Sequence, residues 1–473
     1  MPTSHTTLMP KPFRAIDPYT GRAVGVVYAP TDPEQLEETL ERLLAAQRRW
    51  RRATVVQRVK FCKGAARLLR ERAETLASLA TAEMGKPPSE AQAEVEKCAT
   101  LCDYYAEHVP RLAQSRKVPI EGANAYVAHQ PLGIVLAIMP WNFPYWQVIR
   151  CVIPAVAAGN VALLKHAPNV PACAVALDEL FAELAEDTDS PPLLSNVRLD
   201  NAATEALIAD QRIAGVSLTG STAAGRKVGA AAGAALKPCV LELGGSDAYV
   251  VLADADVPAA VEACFAARRL NSGQSCISAK RLIVVEEVRD AFVEQLRARI
   301  ASLSPLMTPD DEHQDALAPM AREDLRNALA KQVARSVEAG ATLLLGGASH
   351  GPGWHYEATL LTDVRPGMPA FDEELFGPVF AVVTASDTEH ALALAEDSDF
   401  GLGGAVFTSD LALGEDIARE RLVSGAAFVN DFVRSDPRLP FGGVRDSGFG
   451  RELSDEGYYA FTNAKTVVVR HPR

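Results

Sequence analysis

The sequence predicts an α/β fold that consists of a doubly wound parallel sheet, a second α/β region and a small β extension. Two patterns lead to this prediction: the chain begins with long helical segments, and its centre alternates apolar runs of strand length with helices. Strands that alternate with helices form parallel sheets. The 473 residues, 48% of them hydrophobic, are enough for two or more domains.

The segment from Pro33 to His108 has a helical pattern, because leucines recur there at steps of three and four residues. One of its helices is predicted to end at Met84-Gly-Lys-Pro87. Glycine after the last turn, lysine near the negative end of the helix dipole and proline just beyond are ordinary stop signals. We therefore interpret this motif as structural.

The centre of the chain contains four apolar runs of strand length, at residues 132–138, 161–164, 213–218 and 239–243. A helix that begins at Pro144 and ends at Gly159 separates the first two runs. A helix of small residues over 223–235 separates the last two. Each pair of runs with its helix is a βαβ unit, and together they predict one parallel sheet.

Distinctive polar chemistry follows each of these four runs. The residues concerned are Trp141 and Asn142, Lys165, Thr219 to Ser221, and Glu242. Ligands of doubly wound sheets bind beyond the carboxyl ends of the strands, so we expect these side chains to line one crevice. The segment Gly220-Ser-Thr-Ala-Ala-Gly225 also offers backbone N–H groups and a helix N-terminus to a phosphate, although alone it reads as a glycine-containing turn.

A second α/β region follows Gly245. It has strand-like runs at 282–285, 343–345 and Ala426–Val429, and a helix over 288–303. Two short β-like segments, 118–130 and 466–470, fit neither region. Because unpaired strands are a liability, these segments are expected to pair with another subunit.

Composition excludes several classes of function. The formal net charge is −13 and no basic face is assembled, which argues against binding of nucleic acid or anionic membrane. No apolar run reaches the roughly 18 residues of a membrane span, and residues 1–7 lack the pattern of a targeting signal. Eight cysteines at no framework spacing predict reduced thiols in a soluble cytoplasmic protein, and no Cys/His cluster has zinc spacing.

Cys276 has unusual surroundings for a cysteine of this chain. Serine, glycine and glutamine precede it, whereas Cys151, Cys173 and Cys264 lie in apolar helical patterns. A nucleophilic cysteine reacts as its thiolate, and a free thiol with a pKa of about 8.5 is mostly protonated at neutral pH. Glu242, at the end of an apolar run, is the candidate base. Its alternative role is an ion pair at the domain junction.

Six motifs in order resemble those of the aldehyde dehydrogenase superfamily over nearly the whole chain. They are Pro140-Trp-Asn-Phe-Pro144, Thr219-Gly-Ser221, Leu241-Glu-Leu-Gly-Gly245, Gly273-Gln-Ser-Cys276, Glu373-Glu-Leu-Phe-Gly-Pro378 and the segment from Pro440 to Arg451. The resemblance implies a cofactor-binding domain for NAD(P) at 1–112 and 132–245 and an α/β catalytic domain at 246–440. It also implies a small β oligomerisation extension from residues 113–131 and 455–473, in a homodimer or homotetramer.

By this resemblance, Cys276 attacks an aldehyde to give a thiohemiacetal, whose oxyanion is held by the Asn142 side chain and the Cys276 N–H. After hydride transfer to a nicotinamide, Glu242 deprotonates the water that hydrolyses the thioester. Two alternatives stay open. A CoA-acylating enzyme releases the acyl group to a thiol instead of water, and an inactive member of the fold serves only binding or structure.

The resemblance assigns Lys165 to the adenine ribose, Ser221 to the pyrophosphate and Glu374 to the nicotinamide ribose. The cofactor site as a whole is predicted to comprise Trp141, Lys165, Pro168, Gly220, Ser221, Gly245, Glu374 and Phe376. Pro168 stands where many NAD-preferring members have a glutamate that binds the ribose 2′-hydroxyl. Proline neither accepts that hydrogen bond nor repels a 2′-phosphate, so the cofactor is expected to be NAD or NADP. Residues 187–192 also depart from the family pattern.

The segments around Arg150 and Ser435 are similar to the succinate-semialdehyde dehydrogenase branch of the family. On the helix from Pro144, Arg150 shares a face with Phe143, so its guanidinium can bind a substrate carboxylate in bidentate fashion. Ser435 is predicted as a second contact. The alternative for Arg150 is an ion pair with an acidic residue of the second domain.

Overall fold

The computed structural model describes residues 12–311 and 315–470. These residues form a six-stranded sheet, a seven-stranded sheet and a three-stranded sheet, together with three two-stranded pairs. Helices connect most of the strands of the two large sheets. The predicted α/β class with parallel-sheet domains is confirmed. Residues 1–11 and 471–473, which the predicted domain and oligomerisation segments include, lie outside the described residues.

The first part of the chain supplies the long helices and most strands of the six-stranded sheet. Its elements are β1 (Phe13–Asp17), β2 (Arg22–Tyr28), α1 (Pro33–Trp50), α2 (Val55–Glu71), α3 (Ala73–Met84), α4 (Pro88–Leu112), β3 (Arg116–Ile120), β4 (Ala123–Pro131), β5 (Ile134–Met139), α5 (Trp146–Ala157), β6 (Val161–His166), α6 (Pro171–Thr188), β7 (Leu194–Asn196), α7 (Asn201–Ala209), β8 (Ile213–Thr219), α8 (Thr222–Ala234) and β9 (Cys239–Glu242).

The second part supplies the seven-stranded sheet and the C-terminal elements. These are β10 (Ala248–Val251), α9 (Val257–Arg269), β11 (Arg281–Val285), α10 (Glu286–Ala301), β12 (Ser304–Pro305), β13 (Ala316–Leu317), α11 (Glu323–Glu338), β14 (Thr342–Leu345), β15 (Ser349–His350), β16 (His355–Tyr356), β17 (Thr359–Val364), α12 (Pro369–Asp372), β18 (Val379–Ala385), α13 (Thr388–Glu396), β19 (Gly403–Phe407), α14 (Leu411–Asp416), β20 (Ala426–Val429), β21 (Gly448–Phe449), α15 (Ser454–Tyr459) and β22 (Thr462–Val469).

The N-terminal helices begin and end where local chemistry favours it. Asp32 caps α1 and Thr54 caps α2, each through a capping box with the glutamine three residues later. Helix α3 ends at Gly85, whose φ of 80° is a left-handed conformation that favours glycine. The helical pattern over 33–108 and the stop signal after Met84 are therefore confirmed.

The six-stranded sheet has the order β21-β9-β8-β5-β6-β7 and is parallel except for β21. All residues of β5 are buried, as expected for a continuous apolar run in a parallel sheet. Ile138 pairs with both Lys165 and Leu218, while Thr219 pairs with Glu242. This register brings the carboxyl ends of four strands to one edge of the sheet.

The seven-stranded sheet has the order β14-β17-β18-β11-β10-β19-β20, with only β14 antiparallel to its neighbour. It spans the predicted second α/β region. The loop between α9 and β11 carries Cys276, and it lies against the end of the first sheet because Asn271 and Asn142 are hydrogen-bonded.

The two isolated β-like segments pair within the chain, which differs from our expectation of pairing with another subunit. Strand β22 runs antiparallel to β4 from Thr462 to Val469, and β3 adds to the other side of β4. Two segments that are distant in sequence satisfy each other's backbone hydrogen bonds, so neither needs a partner chain for its pairing with β4. The edges of this sheet are β3 and β22.

Helix α5 begins two residues after the predicted start at Pro144. The Glu94 carboxylate accepts hydrogen bonds from the N–H groups of Tyr145 and Trp146, at 2.8 and 2.9 Å, and so takes the place of a capping side chain. None of the helices within residues 12–311 and 315–470 is long and apolar enough to cross a membrane. The same part of the chain has no group of three or more His, Cys, Asp or Glu side chains arranged to hold a metal ion.

Candidate active site

Cys276 follows a short loop whose backbone is held in an uncommon conformation. Asn271 and Ser272 both have a φ of 53°, and Gly273 has a φ of 71°. A Cβ on Gly273 would collide with the Gly377 carbonyl, so only glycine fits there. The carboxylate of Glu90, on α4, accepts the Asn271 N–H at 2.8 Å. The loop that leads to Cys276 is thus held by the Glu90 carboxylate at Asn271 and packs against the Gly377 carbonyl at Gly273.

Two cavities meet at Cys276. One, of about 920 Å³, is lined by residues of α4, α5 and the segment Phe432 to Ser435. The other, of about 930 Å³, lies at the carboxyl edge of the six-stranded sheet. Cys276 and Gln147 line both cavities. The sulfur-bearing residue therefore stands where ligands in the two cavities can meet.

Burial raises the pKa of the Cys276 thiol to about 11, although the positive charges of Lys280 and Arg150 act in the opposite direction. The Lys280 ammonium donates to the carbonyl oxygens of Cys276 and Ser275, at 2.5 and 2.9 Å. At neutral pH the thiol of the free protein is protonated. A nucleophilic reaction of Cys276 consequently needs a base that takes its proton.

Asn142 lies in the turn after β5 and is 5% exposed. Its side-chain amide donates to the Gln274 carbonyl at 3.0 Å, and its own carbonyl accepts from the Asn271 side chain at 2.9 Å. An asparagine amide has two N–H groups, so one remains to donate to a ligand. These bonds connect the end of β5 to the Cys276 loop.

Glu242 ends β9 and is 2% exposed. Within the described residues, neither of its carboxylate oxygens has a hydrogen-bond partner. Burial and the nearby Glu452 carboxylate raise the pKa of Glu242 well above 4.5, while Arg150 and Arg451 lower it. An unpartnered buried carboxyl group with a raised pKa is typical of a catalytic acid or base.

The cavity at the sheet edge contains many of the predicted cofactor residues. Trp141 and Phe376 stack edge to face there, with ring centroids 5.9 Å apart. The Glu374 carboxylate accepts the Gly245 N–H at 3.1 Å and lies 3.4 Å from the Lys280 ammonium. A Cβ on Gly244 would approach the Glu374 carboxylate to 2.5 Å, so a side chain at this position would displace that carboxylate.

Gly220 and Ser221 line the same cavity at the start of α8. The Ser221 side chain caps this helix by accepting the Ala224 N–H at 3.3 Å, and the first N–H groups of the helix are a favourable site for a phosphate. Lys165 and Pro168 do not line either cavity that contains Cys276. Lys165 is half-buried at the end of β6, where burial lowers its pKa, and Pro168 is exposed.

The other cavity contains Arg150 and Ser435. The Arg150 guanidinium forms a buried ion pair with Glu452 and lies 4.5 Å from the centre of the Phe441 ring. The sequence-based alternative was an ion pair with an acidic residue of the second domain, predicted at 246–440, and the observed partner Glu452 lies beyond that domain. The Ser435 hydroxyl accepts a hydrogen bond from the Lys97 ammonium at 2.7 Å.

A model of the aldehyde dehydrogenase family matches residues 5–467. The chain belongs to the aldehyde dehydrogenase family. The succinate semialdehyde dehydrogenase (NAD(P)+) Sad of Escherichia coli (strain K12) is 46% identical to it over 456 residues, which cover 96% of this chain and 97% of that protein. The succinate-semialdehyde dehydrogenase (NADP+) of Deinococcus radiodurans is 42% identical over 458 residues, 97% of this chain and 94% of that protein.

Solved structures of similar proteins agree with this membership. The succinic semialdehyde dehydrogenase of Streptococcus pyogenes, crystallised with NADP+, superposes with a TM-score of 0.93 at 33% identity. The match covers 97% of this chain and all of that one, 100%. The structure of Gox0499, described in terms of cofactor and substrate selection, gives a TM-score of 0.92 at 39% identity, over 97% of this chain and 99% of that one.

A row of charged residues on α4 supports this aldehyde dehydrogenase site and was not predicted from the sequence. Glu90, Glu94 and Lys97 are spaced four and three residues apart, so they share one helix face that points towards the Cys276 cavity. Lys86, which we interpreted as a helix-end charge, is instead buried and ion-paired with Glu94. Their spacing in an amphipathic helix is the feature of the sequence from which a shared, inward-facing position could have been predicted.

Proposed function

We propose that this aldehyde dehydrogenase oxidises succinic semialdehyde to succinate with NAD or NADP. The observation that carries the proposal is the position of Cys276 between a cavity at the sheet edge and a cavity that contains cationic side chains. The names of the relatives from Escherichia coli and Deinococcus radiodurans support the same substrate and cofactor class.

The first step joins Cys276 to the aldehyde. The Cys276 thiol gives its proton to the Glu242 carboxylate, and the sulfur forms a bond to the carbonyl carbon. The carbonyl oxygen becomes an oxyanion. It accepts hydrogen bonds from the free N–H of the Asn142 amide and from the Cys276 backbone N–H.

The bound nicotinamide supplies the two-electron acceptor for the oxidation of this adduct. The product is an acyl group joined to the Cys276 sulfur as a thioester. Glu242 first releases the thiol proton to solvent, and then accepts a proton from a water molecule whose oxygen bonds to the acyl carbon as the carbon–sulfur bond breaks. This proton passes from Glu242 to the Cys276 thiolate, and the acid product leaves as its carboxylate after losing a proton to solvent.

The cavity at the sheet edge fits a dinucleotide in the chemistry of its walls. The N-terminus of α8 offers N–H groups to a pyrophosphate beside Gly220 and Ser221. Trp141 and Phe376 offer apolar faces, and Glu374, anchored by the Gly245 N–H, offers a carboxylate oxygen to ribose hydroxyls. Lys165 is proposed to reach the adenine ribose from the end of β6. Pro168 leaves both NAD and NADP acceptable.

We assign Arg150 and Ser435 to the substrate carboxylate. Arg150 presents part of a guanidinium whose Nε is held by Glu452, so its orientation is fixed before a substrate arrives. The Ser435 hydroxyl accepts from Lys97 and retains its own proton to donate. A four-carbon aldehyde acid is thus bound by Cys276 at its aldehyde carbon and by Arg150 and Ser435 at its carboxylate.

Initial rates of NADH and NADPH formation test the proposal. The panel comprises succinic semialdehyde, its uncharged analogue butanal and other semialdehydes, each with and without CoA. We expect succinic semialdehyde to have the highest kcat/KM and succinate to be the product whether or not CoA is present. Succinyl-CoA as the product would establish the CoA-acylating alternative, and equal kcat/KM for butanal would contradict the assigned substrate.

We also propose a homodimer or homotetramer in the cytoplasm. The exposed edges of the β22-β4-β3 sheet offer backbone groups to another subunit. All eight cysteines are free thiols, which suits a reducing compartment. Sedimentation equilibrium distinguishes the two assemblies from a monomer.

A further inference from the structure

Lys97 is the cation of the substrate cavity whose charge no carboxylate balances. The cavity also contains Arg150 and Arg434. Arg150 is paired with Glu452, and the exposed Arg434 is paired with Asp431 at 2.5 Å. Within residues 12–311 and 315–470, no ion pair joins Lys97 to an acidic side chain at 4.0 Å or less.

The two acidic residues that line the same cavity are engaged elsewhere. Glu94 pairs with the buried Lys86 and accepts the two N–H groups at the start of α5. Glu90 accepts the Asn271 N–H and lies 3.7 Å from the Arg269 guanidinium. Neither acid is therefore available to neutralise a cation on the cavity wall.

The neighbours of Lys97 hold its ammonium in place without neutralising it. It donates to the Ser435 hydroxyl at 2.7 Å and lies 4.5 Å from the centre of the Trp146 ring. An ammonium group has three N–H donors, and Ser435 takes one of them. Ser435 in turn can donate its hydroxyl proton to the same anion that the ammonium contacts.

We propose that Lys97, together with Ser435, binds the carboxylate of the semialdehyde and is the residue that selects acidic over neutral aldehydes. This inference rests on the proposed function, because it assigns a residue to the acidic end of that substrate. Arg150, already committed to Glu452, orients the helix face beside Cys276 and contributes the smaller share of the selectivity.

Lys97 is expected to lose its proton at a pH at which the enzyme can be assayed. Burial and the neighbouring Arg150 lower its pKa to about 8, while Cys98, Glu94 and Asp436 act in the opposite direction. Among the other facing groups, Arg434 pairs with Asp431 and Asp436 pairs with Arg438. As pH rises through about 8, Lys97 loses its proton and with it the charge that attracts a carboxylate.

The test compares succinic semialdehyde with butanal, which has the same carbon chain and no carboxylate. The measured quantity is the selectivity, the ratio of the two kcat/KM values. We expect Lys97→Met to lower the selectivity by about tenfold or more, because a hydrogen bond between charged groups is lost. Lys63→Met, an exposed lysine on α2, is the matched control and leaves the selectivity unchanged.

The pH profile provides a second readout that a general structural defect does not change. Titrations of Cys276 and Glu242 act on both aldehydes and cancel in the selectivity. In the wild-type enzyme the selectivity is expected to fall as pH rises through about 8, whereas that of Lys97→Met is flat. A Lys97→Met selectivity equal to that of the wild type, or a profile unchanged by the substitution, overturns the role of Lys97. A wild-type enzyme with no selectivity for succinic semialdehyde overturns instead the proposed substrate.

Discussion

Arg150 and Glu452 form a buried ion pair between residues 302 positions apart in the sequence. The pair connects α5, which lines both cavities, to the segment that carries β21. Ser217 also donates to the Glu452 carboxylate, at 3.2 Å. Because Glu452 raises the pKa of Glu242 and Arg150 lowers it, this pair links the stability of the domain to the protonation of the candidate base.

Removal of one member of the pair leaves a buried charge without a partner. Glu452→Gln is expected to reduce the free energy of unfolding by about 3–5 kcal/mol, measured by urea denaturation. The control is Glu71→Gln, which removes an exposed pair with Arg67 and costs about 0–1 kcal/mol. A loss below about 1 kcal/mol for Glu452→Gln would show that the buried pair does not stabilise the fold.

Glu90 holds the Cys276 loop through the Asn271 N–H. Glu90→Ala leaves that N–H unpaired beside backbone in a left-handed conformation, so the loop relaxes and Cys276 is misplaced. We expect kcat/KM to fall by about ten- to a hundredfold for every aldehyde. Glu90→Gln keeps an acceptor and restores most of the activity.

Glu107→Ala, on the exposed face of the same helix, controls for effects on α4. The alkylation rate of Cys276 by iodoacetamide gives an independent measure of its position. If Glu90→Ala and Glu107→Ala had equal kcat/KM, the positioning role of Glu90 would be wrong.

Gly442 lies beside the candidate base. A Cβ at this position would lie 2.7 Å from both a Glu242 carboxylate oxygen and the Gly450 carbonyl oxygen, and its φ of 156° is one that other residues rarely adopt. Gly442→Ala is therefore expected to displace Glu242 and slow both the removal of the Cys276 proton and the hydrolysis of the thioester, so that NAD(P)H formation is slower from the first turnover onward. Gly122→Ala, which combines a φ of 67° with open space, is the control and forms NAD(P)H at the wild-type rate. Identical progress curves for the two variants would contradict the contact.

Glu242 makes the stability of the protein depend on pH. Its pKa is raised in the folded state above the unfolded value near 4.5, so the folded state binds more protons over this range. The contribution to stability is present below the unfolded pKa and is lost as pH rises through the folded pKa. The stability lost in this way amounts to about 1.4 kcal/mol for each unit by which the folded-state pKa is raised. Glu242→Gln does not titrate and therefore does not lose it.

The measurement is the free energy of unfolding of the wild type and Glu242→Gln at about pH 5 and about pH 8. The stability gained by the substitution is expected to be larger at the higher pH. A gain that is equal at both values would mean that burial does not disfavour the ionised carboxylate.

Much of the fold follows from local patterns in the sequence. The apolar runs that became β5, β6, β8 and β9 were visible because strands buried on both faces are continuously apolar. The pairing of β22 with β4 was not predicted, since a register between segments far apart in sequence leaves no local signal. The same reason explains why Glu452 was not named as the partner of Arg150.

Site residues could be predicted from the sequence where they belong to a motif of the family. Cys276, Glu242 and Asn142 belong to such motifs. In the structure Cys276 lines both cavities and Asn142 lines the one at the sheet edge, whereas Glu242 is buried at the end of β9 and lines neither. Glu90 and Lys97 were missed because a charged residue on a helix usually faces solvent. Their proposed roles depend on which segments pack against α4, and only the tertiary structure shows this packing.

In the proposed mechanism Cys276 carries the acyl group and Glu242 releases it. The most direct measurement is the intact mass and peptide map of Glu242→Gln after reaction with succinic semialdehyde and NAD(P)+. Because Glu242 also takes the thiol proton, Glu242→Gln is expected to acquire a succinyl group on Cys276 more slowly than the wild type reacts and then to retain it, whereas Cys276→Ser acquires none. An adduct on another residue, or a Cys276 adduct that Glu242→Gln hydrolyses as fast as the wild type, would show that these roles are wrong.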